Sequence, residues 1–431
     1  MYIQRVLFAF IIGINLIISA VVTMGLFSRH DHSHAIPGAE SQQHVLSLNQ
    51  TSSYKTVLYF CNWAIYGRKH FPEDIPADRL THVLYAFCNV DSNTGEVVLT
   101  DKWADLDCAA NSTNSGSGGC LGRFAEIRQT HPNLKILLSI GGWSYSAAFG
   151  QGVSTPERRE KFVDSAMALM KDHNLDGLDL DWEYPNSEQE ASIYVEVLRM
   201  LRMELDSEAL RQGLARSQFD LSIAAPAGPQ RQVLKVREMD PYLSFWNLMA
   251  YDFAGSWSPT VQYQSNLYNG DISGDAAINY YRSQGVHPSK IVLGMPVYGR
   301  AFANTKGVGH TFSGTGEGSW DQGVWDYKSL PLNGSQEFVD EQAVSAYCYD
   351  SSKQLFVCYD NARTVAMKAE YAKRAHLGGG MWWESSADYP VDNPRSLIGA
   401  FTNTMGTRLE NKPNVIHARS TGSGNWTAPK S

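Results

Sequence analysis

Residues 176–183 read Asp-Gly-Leu-Asp-Leu-Asp-Trp-Glu, and three of the carboxylates, Asp179, Asp181 and Glu183, recur at a spacing of two. In a β-strand, side chains at i, i+2 and i+4 share one face. The three acids therefore line up together, with Leu178, Leu180 and Trp182 on the opposite face. Stacked like charges repel and Asp is a poor strand former, so stability does not account for them. Local conflict of this kind marks functional sites. Close carboxylates cannot all ionise cheaply, so at least one should hold a proton at neutral pH. A protonated acid among ionised ones suits general acid–base catalysis. The bland alternatives are a buried hydrogen-bonded cluster or a calcium site. Calcium ligands come more often from irregular loops with Asn and Gly, so catalysis is the preferred reading.

Something must hold that strand. Short apolar runs recur eight times, at 56–60, 82–88, 135–140, 176–182, 219–225, 244–250, 290–296 and 378–383. Most are nearly continuous in apolar residues, as strands buried on both faces should be. Helical patterns fall between several of them. Ser154-Thr155-Pro156-Glu157 reads as a helix start, followed by an apolar stripe of Phe162, Val163, Ala166, Leu169 and Met170. Tyr194, Leu198, Leu201 and Leu205 make the next stripe. Alternating units of this kind predict an α/β fold, a closed (β/α)8 TIM barrel. Catalytic groups of such barrels sit at the C-terminal ends of the strands. Glu183 should then reach the open face, with Asp181 and Asp179 progressively deeper. The interval between the seventh and eighth strands is too long for one crossover. Residues 303–363 are expected to form a small α+β insertion between strand 7 and helix 7, placed to wall a cleft, with helix resuming at 364–376.

The chain has 431 residues, 43% hydrophobic and 11% aromatic, enough for a packed core. Net charge is −8 with no basic patch, which argues against nucleic acid as a partner. Most of the 11 Trp and 21 Tyr belong to packing, and some are expected to stack on sugar rings. Arg5 precedes a 22-residue apolar run from Val6 to Phe27. That length fits a signal peptide or an uncleaved signal anchor within residues 1–27, and either exports the rest. Residues 28–53, with His30, His32 and His34 in alternation, read as a flexible spacer rather than a metal tract. Residues 409–431 read as a disordered tail, and sequons stand at Asn49, Asn111, Asn333 and Asn425. Among the six cysteines, a bridge is plausible between Cys348 and Cys358 and between Cys108 and Cys120, while Cys61 and Cys88 are paired or simply buried. Their spacing does not resemble a zinc site. No metal or cofactor is expected, and the chain is read as a monomer.

Residues 176–183 match the Asp-Gly-x-Asp-x-Asp-x-Glu signature of the family 18 glycoside hydrolases, the chitinases. Ser139-Ile-Gly-Gly-Trp143, Met249-Ala-Tyr251-Asp252, Tyr298-Gly-Arg300 and Met381-Trp-Trp383 resemble further motifs of that family, in order. The resemblance spans residues 54–405 and looks closest to the secreted chitinases of filamentous fungi. It implies retaining cleavage of β-1,4 links between N-acetylglucosamine units of chitin and chito-oligosaccharides, through an oxazolinium ion formed by the substrate. Glu183 would be general acid and then base. Asp181 would orient the acetamido group and stabilise its charge. Asp179 would hold or share a proton with Asp181, supported by Tyr59 and Ser139, and Tyr251 would hydrogen-bond the acetamido oxygen. The resemblance also implies that Trp383 floors the −1 subsite and makes Trp143 and Trp257 candidates for neighbouring subsites. Met249, Asp252, Tyr298 and Arg300 would be close partners of the sugar. The rival readings are an endo-β-N-acetylglucosaminidase acting on N-glycans and a non-catalytic chitinase-like lectin. The lectin usually lacks the terminal Glu or its Asp partner, and both are present here. The resemblance further implies an extracellular enzyme, or a membrane-anchored one if residues 6–27 stay attached. The bridge of the animal members would need Cys at Leu58 and Leu80, so it is not carried over.

Overall fold

A computed structural model describes residues 53–108 and 118–421. The leader, the spacer up to residue 52, and the sequons at Asn49, Asn111 and Asn425 lie outside the described residues. Eight parallel strands form the centre: β1 Lys55–Cys61, β2 His82–Val90, β3 Lys135–Gly141, β4 Gly177–Asp181, β5 Asp220–Pro226, β6 Phe245–Met249, β7 Ile291–Pro296 and β8 Gly379–Trp383. Each pairs with the next, and β8 pairs back onto β1, so the sheet closes into a TIM barrel. The strands match the eight apolar runs to within a residue or two. They read as continuous runs because both faces are covered; every residue of β3, β4, β5 and β7 is buried.

Helices supply the outer cover. Pro156–Asp172 begins with Pro at its first position and with the Thr155 side chain accepting from the Arg158 N–H. Glu188–Arg211 begins in the same way on Ser187 and turns Tyr194, Leu198, Leu201 and Leu205 inward, each essentially inaccessible. Burying one such side chain is worth about 1.5–3 kcal/mol. The crossover from β1 to β2 departs from the regular pattern, with three 3-10 turns at Asn62–Ile65, Pro72–Asp74 and Ala77–Arg79. Pro72 and Pro76 each restrict the residue before them and cannot sit inside an α-helix.

The insertion begins at Tyr298, five residues earlier than expected, and its sheet is antiparallel. The strand order is Val324–Asp326, Tyr298–Phe302, Leu355–Tyr359, Ser345–Asp350, Gln336–Asp340. Its helical share among the described residues is one 3-10 turn, Tyr327–Ser329, before the barrel helix Ala362–Arg374. In the hairpin, Cys348 lies opposite Val357 and Tyr347 opposite Cys358. That offset of one sends the two thiols to opposite faces, so the bridge expected there does not form. All six cysteines are buried free thiols. Cys108 and Cys120 do not form the expected bridge either, and the Cys108 Sγ donates to the Ala104 carbonyl at 3.3 Å.

The expectation of a disordered tail from residue 409 is corrected over 409–421. Leu409 bridges Tyr54 in parallel, and Lys55 Nζ pairs with Glu410 at 3.1 Å. Asn414 is fully buried, its Nδ2 at 3.2, 3.1 and 3.1 Å from the carbonyl oxygens of Arg128, His131 and Leu134. The Val415 N–H donates to Asp176 at 2.6 Å and opens the helix Val415–Thr421. These partners lie at the starts of β1, β3 and β4, so the segment straps the floor of the barrel. Each buried hydrogen bond of this kind leaves an unsatisfied group if removed, which is what orders a stretch lacking apolar periodicity.

Candidate active site

The register of the barrel builds the site. Asp179 on β4 stands level with Ser139 on β3 and Ser222 on β5. Its carboxylate accepts four donors: Tyr59 Oη at 2.9 Å, Ser139 Oγ at 2.7 Å, Ser222 Oγ at 2.6 Å and Asn247 Nδ2 at 3.2 Å. Burial pushes its pKa up, and those four bonds pull it back toward the anion. Asp181, two residues on, is level with Gly141. Gly141 has φ 114°, and a Cβ there would sit 2.2 Å from the Asp181 carbonyl oxygen, so only glycine lets β3 close on β4 at this level. Asp181 is buried, and its Oδ1 has no hydrogen-bond partner among the described residues. Burial, with the charges of Glu183 and Asp179, raises its pKa far above the usual range. The partnership between the two aspartates is therefore lopsided. Four donors favour the anion at Asp179, whereas Asp181 has no donor at Oδ1. Leu178, Leu180 and Trp182 are buried on the other face of the strand.

Glu183 lies just beyond the strand, half-buried, its own N–H held by Ser146 Oγ at 2.7 Å. Burial lifts its pKa to about 7, with the Asp252 charge adding to the rise while the Tyr184 hydroxyl and the Trp143 N–H pull it down. Asp252 in turn accepts Tyr298 Oη and Arg300 Nε, each at 2.6 Å. The Arg300 guanidinium lies 4.7 Å from the Trp257 ring centroid. Tyr251 Oη has only the Met381 sulfur, at 3.8 Å, as a partner among the described residues. That is a weak acceptor, so the hydroxyl is free to donate to a ligand.

These groups open on a cleft of ≈ 810 Å³. Its floor is the Trp383 indole, stacked on Phe87 with centroids 5.6 Å apart and edged by Tyr59 at 5.3 Å. Trp143, 75% exposed, and Trp257, 59% exposed, stand in its walls. Apolar faces with a few convergent polar groups fit a pyranose, which is apolar on its faces and hydroxylated at its edge.

The model of the family described as glycosyl hydrolases family 18 matches residues 55–388. The chain belongs to this family. Endochitinase 1 of Metarhizium robertsii is 43% identical to it over 368 residues, which is 82% of this chain and 85% of that relative. Among solved structures, chitinase ChiA74 from Bacillus thuringiensis superposes with a TM-score of 0.77 at 25% identity, covering 84% of this chain and 71% of that one. A family 18 chitinase from Cycas revoluta, in complex with (GlcNAc)4, superposes with a TM-score of 0.71 at 27% identity, covering 82% of this chain and 100% of that one.

In this family 18 hydrolase, Tyr59, Trp143, Asp181, Glu183, Met249, Tyr251, Asp252, Trp257, Arg300 and Trp383 all line the one cleft. Asp179, Ser139 and Tyr298 stand behind it, with Ser139 donating to Asp179 and Tyr298 to Asp252. Sequence reasoning missed the cleft aromatics Trp63, Phe87, Tyr145 and Tyr184, and Gln230. It also missed Ser146, Ser222 and Asn247, which hold the acids. Ser222 and Asn247 are inward positions of β5 and β6, and strand alternation would have found them once the register was known.

Proposed function

We propose that this family 18 hydrolase is a chitinase, cleaving β-1,4 links between N-acetylglucosamine units with retention. The observation that carries the reading is the buried Asp181 with an unpartnered oxygen, set between an anion that four donors hold and an acid at the rim. A retaining glycosidase with a protein nucleophile needs a second carboxylate free to attack. Asp179 is fully engaged and Asp181 is buried, and family 18 hydrolases use the substrate's own acetamido group in place of a protein nucleophile. Glu183 gives its proton to the glycosidic oxygen as the C1–O bond breaks. The acetamido carbonyl oxygen bonds to C1, giving an oxazolinium ion. Asp181 takes the acetamido N–H and faces the new positive charge, and Tyr251 donates to the oxygen that closes the ring. Water then attacks C1, Glu183 takes its proton, and the acetamido group is released with the original anomeric configuration. Every group used belongs to one chain, in keeping with action as a monomer. Export is part of this proposal and rests on Arg5 and the apolar run 6–27.

The substrate class is tested by incubating the protein separately with chitotetraose and with a high-mannose glycoprotein. Chitotetraose should be cleaved, and cleavage of the glycoprotein alone would overturn the proposal in favour of the N-glycan hydrolase.

A pH dependence follows from Glu183. The first step needs its protonated form, and its pKa stands near 7 because of burial. The rate should therefore hold up to about pH 7 and fall above it, approaching tenfold per pH unit. Initial rates on unmodified chitotetraose, read by product analysis, check this. An alkaline limb centred at the ordinary carboxylate value, near 4.5, would contradict the buried environment.

A further inference from the structure

The acid at the rim stands where the barrel no longer holds it. The ladder between β3 and β4 ends at the pair Gly141 and Asp181, with the Gly142 N–H donating to the Asp181 carbonyl at 2.7 Å. Glu183 is two residues further on, in irregular backbone. The short helix Ser146–Gly152, just after Trp143, takes over there. Its first residue, Ser146, is buried, and its hydroxyl is used twice. It accepts from the Glu183 N–H at 2.7 Å and donates to the Gly142 carbonyl at 3.0 Å. One turn on, the buried Phe149 ring stacks on Trp182, with centroids 5.2 Å apart and planes inclined by 17°. Gly150 permits this approach, since a Cβ there would come within 3.1 Å of the same indole. One helix thus grips two consecutive residues, Trp182 through its ring and Glu183 through its amide.

We propose that Ser146 is a positioning residue for the general acid, fixing the depth of the Glu183 carboxyl through its backbone amide. The proposal rests on the chitinase reading and names what keeps its proton donor in place. Proton transfer to the glycosidic oxygen needs hydrogen-bond reach, and a misplacement of about 1 Å can cost on the order of 10²-fold. The groups facing the Glu183 carboxyl are the Tyr184 hydroxyl, the Trp143 N–H, Asp181 and Asp252, the last held by Tyr298 and Arg300. Tyr184 and Trp143 favour the ionised carboxylate, and Asp252 opposes it. Each of these contacts changes in strength as the proton leaves and returns. The bond from the Glu183 N–H to Ser146 does not depend on that charge, so it serves the acid step and the base step alike.

The test is Ser146→Ala, which leaves the Glu183 amide without its acceptor. On unmodified chitotetraose kcat should fall roughly 5- to 30-fold, with KM changed by less than about threefold. Burial is the largest cause of the raised Glu183 pKa, and a looser carboxyl is better hydrated. The alkaline limb near pH 7 should therefore move down by about half a unit or more, against the smaller, opposite effect of a weakened Trp143 contact. The deciding comparison is made in the Glu183→Gln protein, where Ser146→Ala should change the residual rate by less than about twofold. A kcat loss below about twofold in the presence of Glu183 overturns the proposal, and so does an unmoved limb. The same fold-loss in the Glu183→Gln protein overturns it as well, since that is what a purely structural serine would give. Ser146→Cys fills the same space with a weak acceptor. It should show a smaller loss of the same kind, and it carries the same three measurements if the Ala variant does not fold. Failure of the chitinase reading would show separately, as parent protein that cleaves no chitotetraose.

Discussion

Glu183→Gln is expected to lower kcat on unmodified chito-oligosaccharides by about 10²–10⁴, with KM changed far less. Gln keeps the shape and can still accept from the Tyr184 hydroxyl and the Trp143 N–H, but it has no proton to give the leaving oxygen. The loss should be smallest on substrates with an acidic phenol as leaving group, which departs without help. The same change should raise thermal stability, and the sign follows from the pKa. Burial lifts Glu183 from 4.5 to about 7 in the folded state. The folded protein therefore bears the cost of a buried charge above pH 7, bears none when the group is protonated below about 4.5, and loses stability as pH rises between. The variant should melt higher than the parent at pH 8, with the gap closing at low pH. Activity near that of the parent would remove Glu183 from the role of acid. A normal rate loss without the pH-dependent gain in melting temperature would instead remove burial as the cause of the raised pKa.

Asp181→Asn should cost roughly 10²–10³ in kcat. The carboxyl is buried and lacks a partner at Oδ1, so its stabilising interactions are made only when the acetamido group arrives. Asn keeps the volume but cannot supply negative charge to the oxazolinium ion. Because Asp179 keeps all four of its donors, the barrel around it should not change. Affinity for a non-hydrolysed oligomer, measured by calorimetry, should stay within about tenfold while the rate collapses. A loss below about threefold in kcat would show that the charge facing the intermediate comes from elsewhere.

The barrel was legible because buried parallel strands write themselves as apolar runs, and the three acids stood out because they interrupt one. What escaped notice was set by contacts distant in sequence. Residues 409–421 lack a hydrophobic period, and Asn414 is ordered by three carbonyls near residue 130. The pairing of Cys348 with Cys358 failed on a register offset of one, which spacing does not reveal. The insertion began early because Tyr298–Phe302 follows β7 after a single residue, Val297, and looks like its tail. In the site, side chains on the signature strand were found from alternation alone. Trp63 lies beyond the end of β1, on a turn, where no periodicity points to the cleft.

The strap across the barrel floor also bears on synthesis. Lys55 and Glu410 meet although 355 positions separate them, and β1 must wait for Gly379–Trp383 to supply its second neighbour. A chain emerging from the ribosome can assemble β1 to β7 in turn, yet it cannot close the ring until Gly379–Trp383 is out. Until then one border of β1 shows unpaired amides and carbonyls, the kind of edge that recruits strands from other molecules. Closure is thus the slow, high-contact-order event of this fold. Glu410, which helps to lock the first strand in place, is made 355 residues after Lys55.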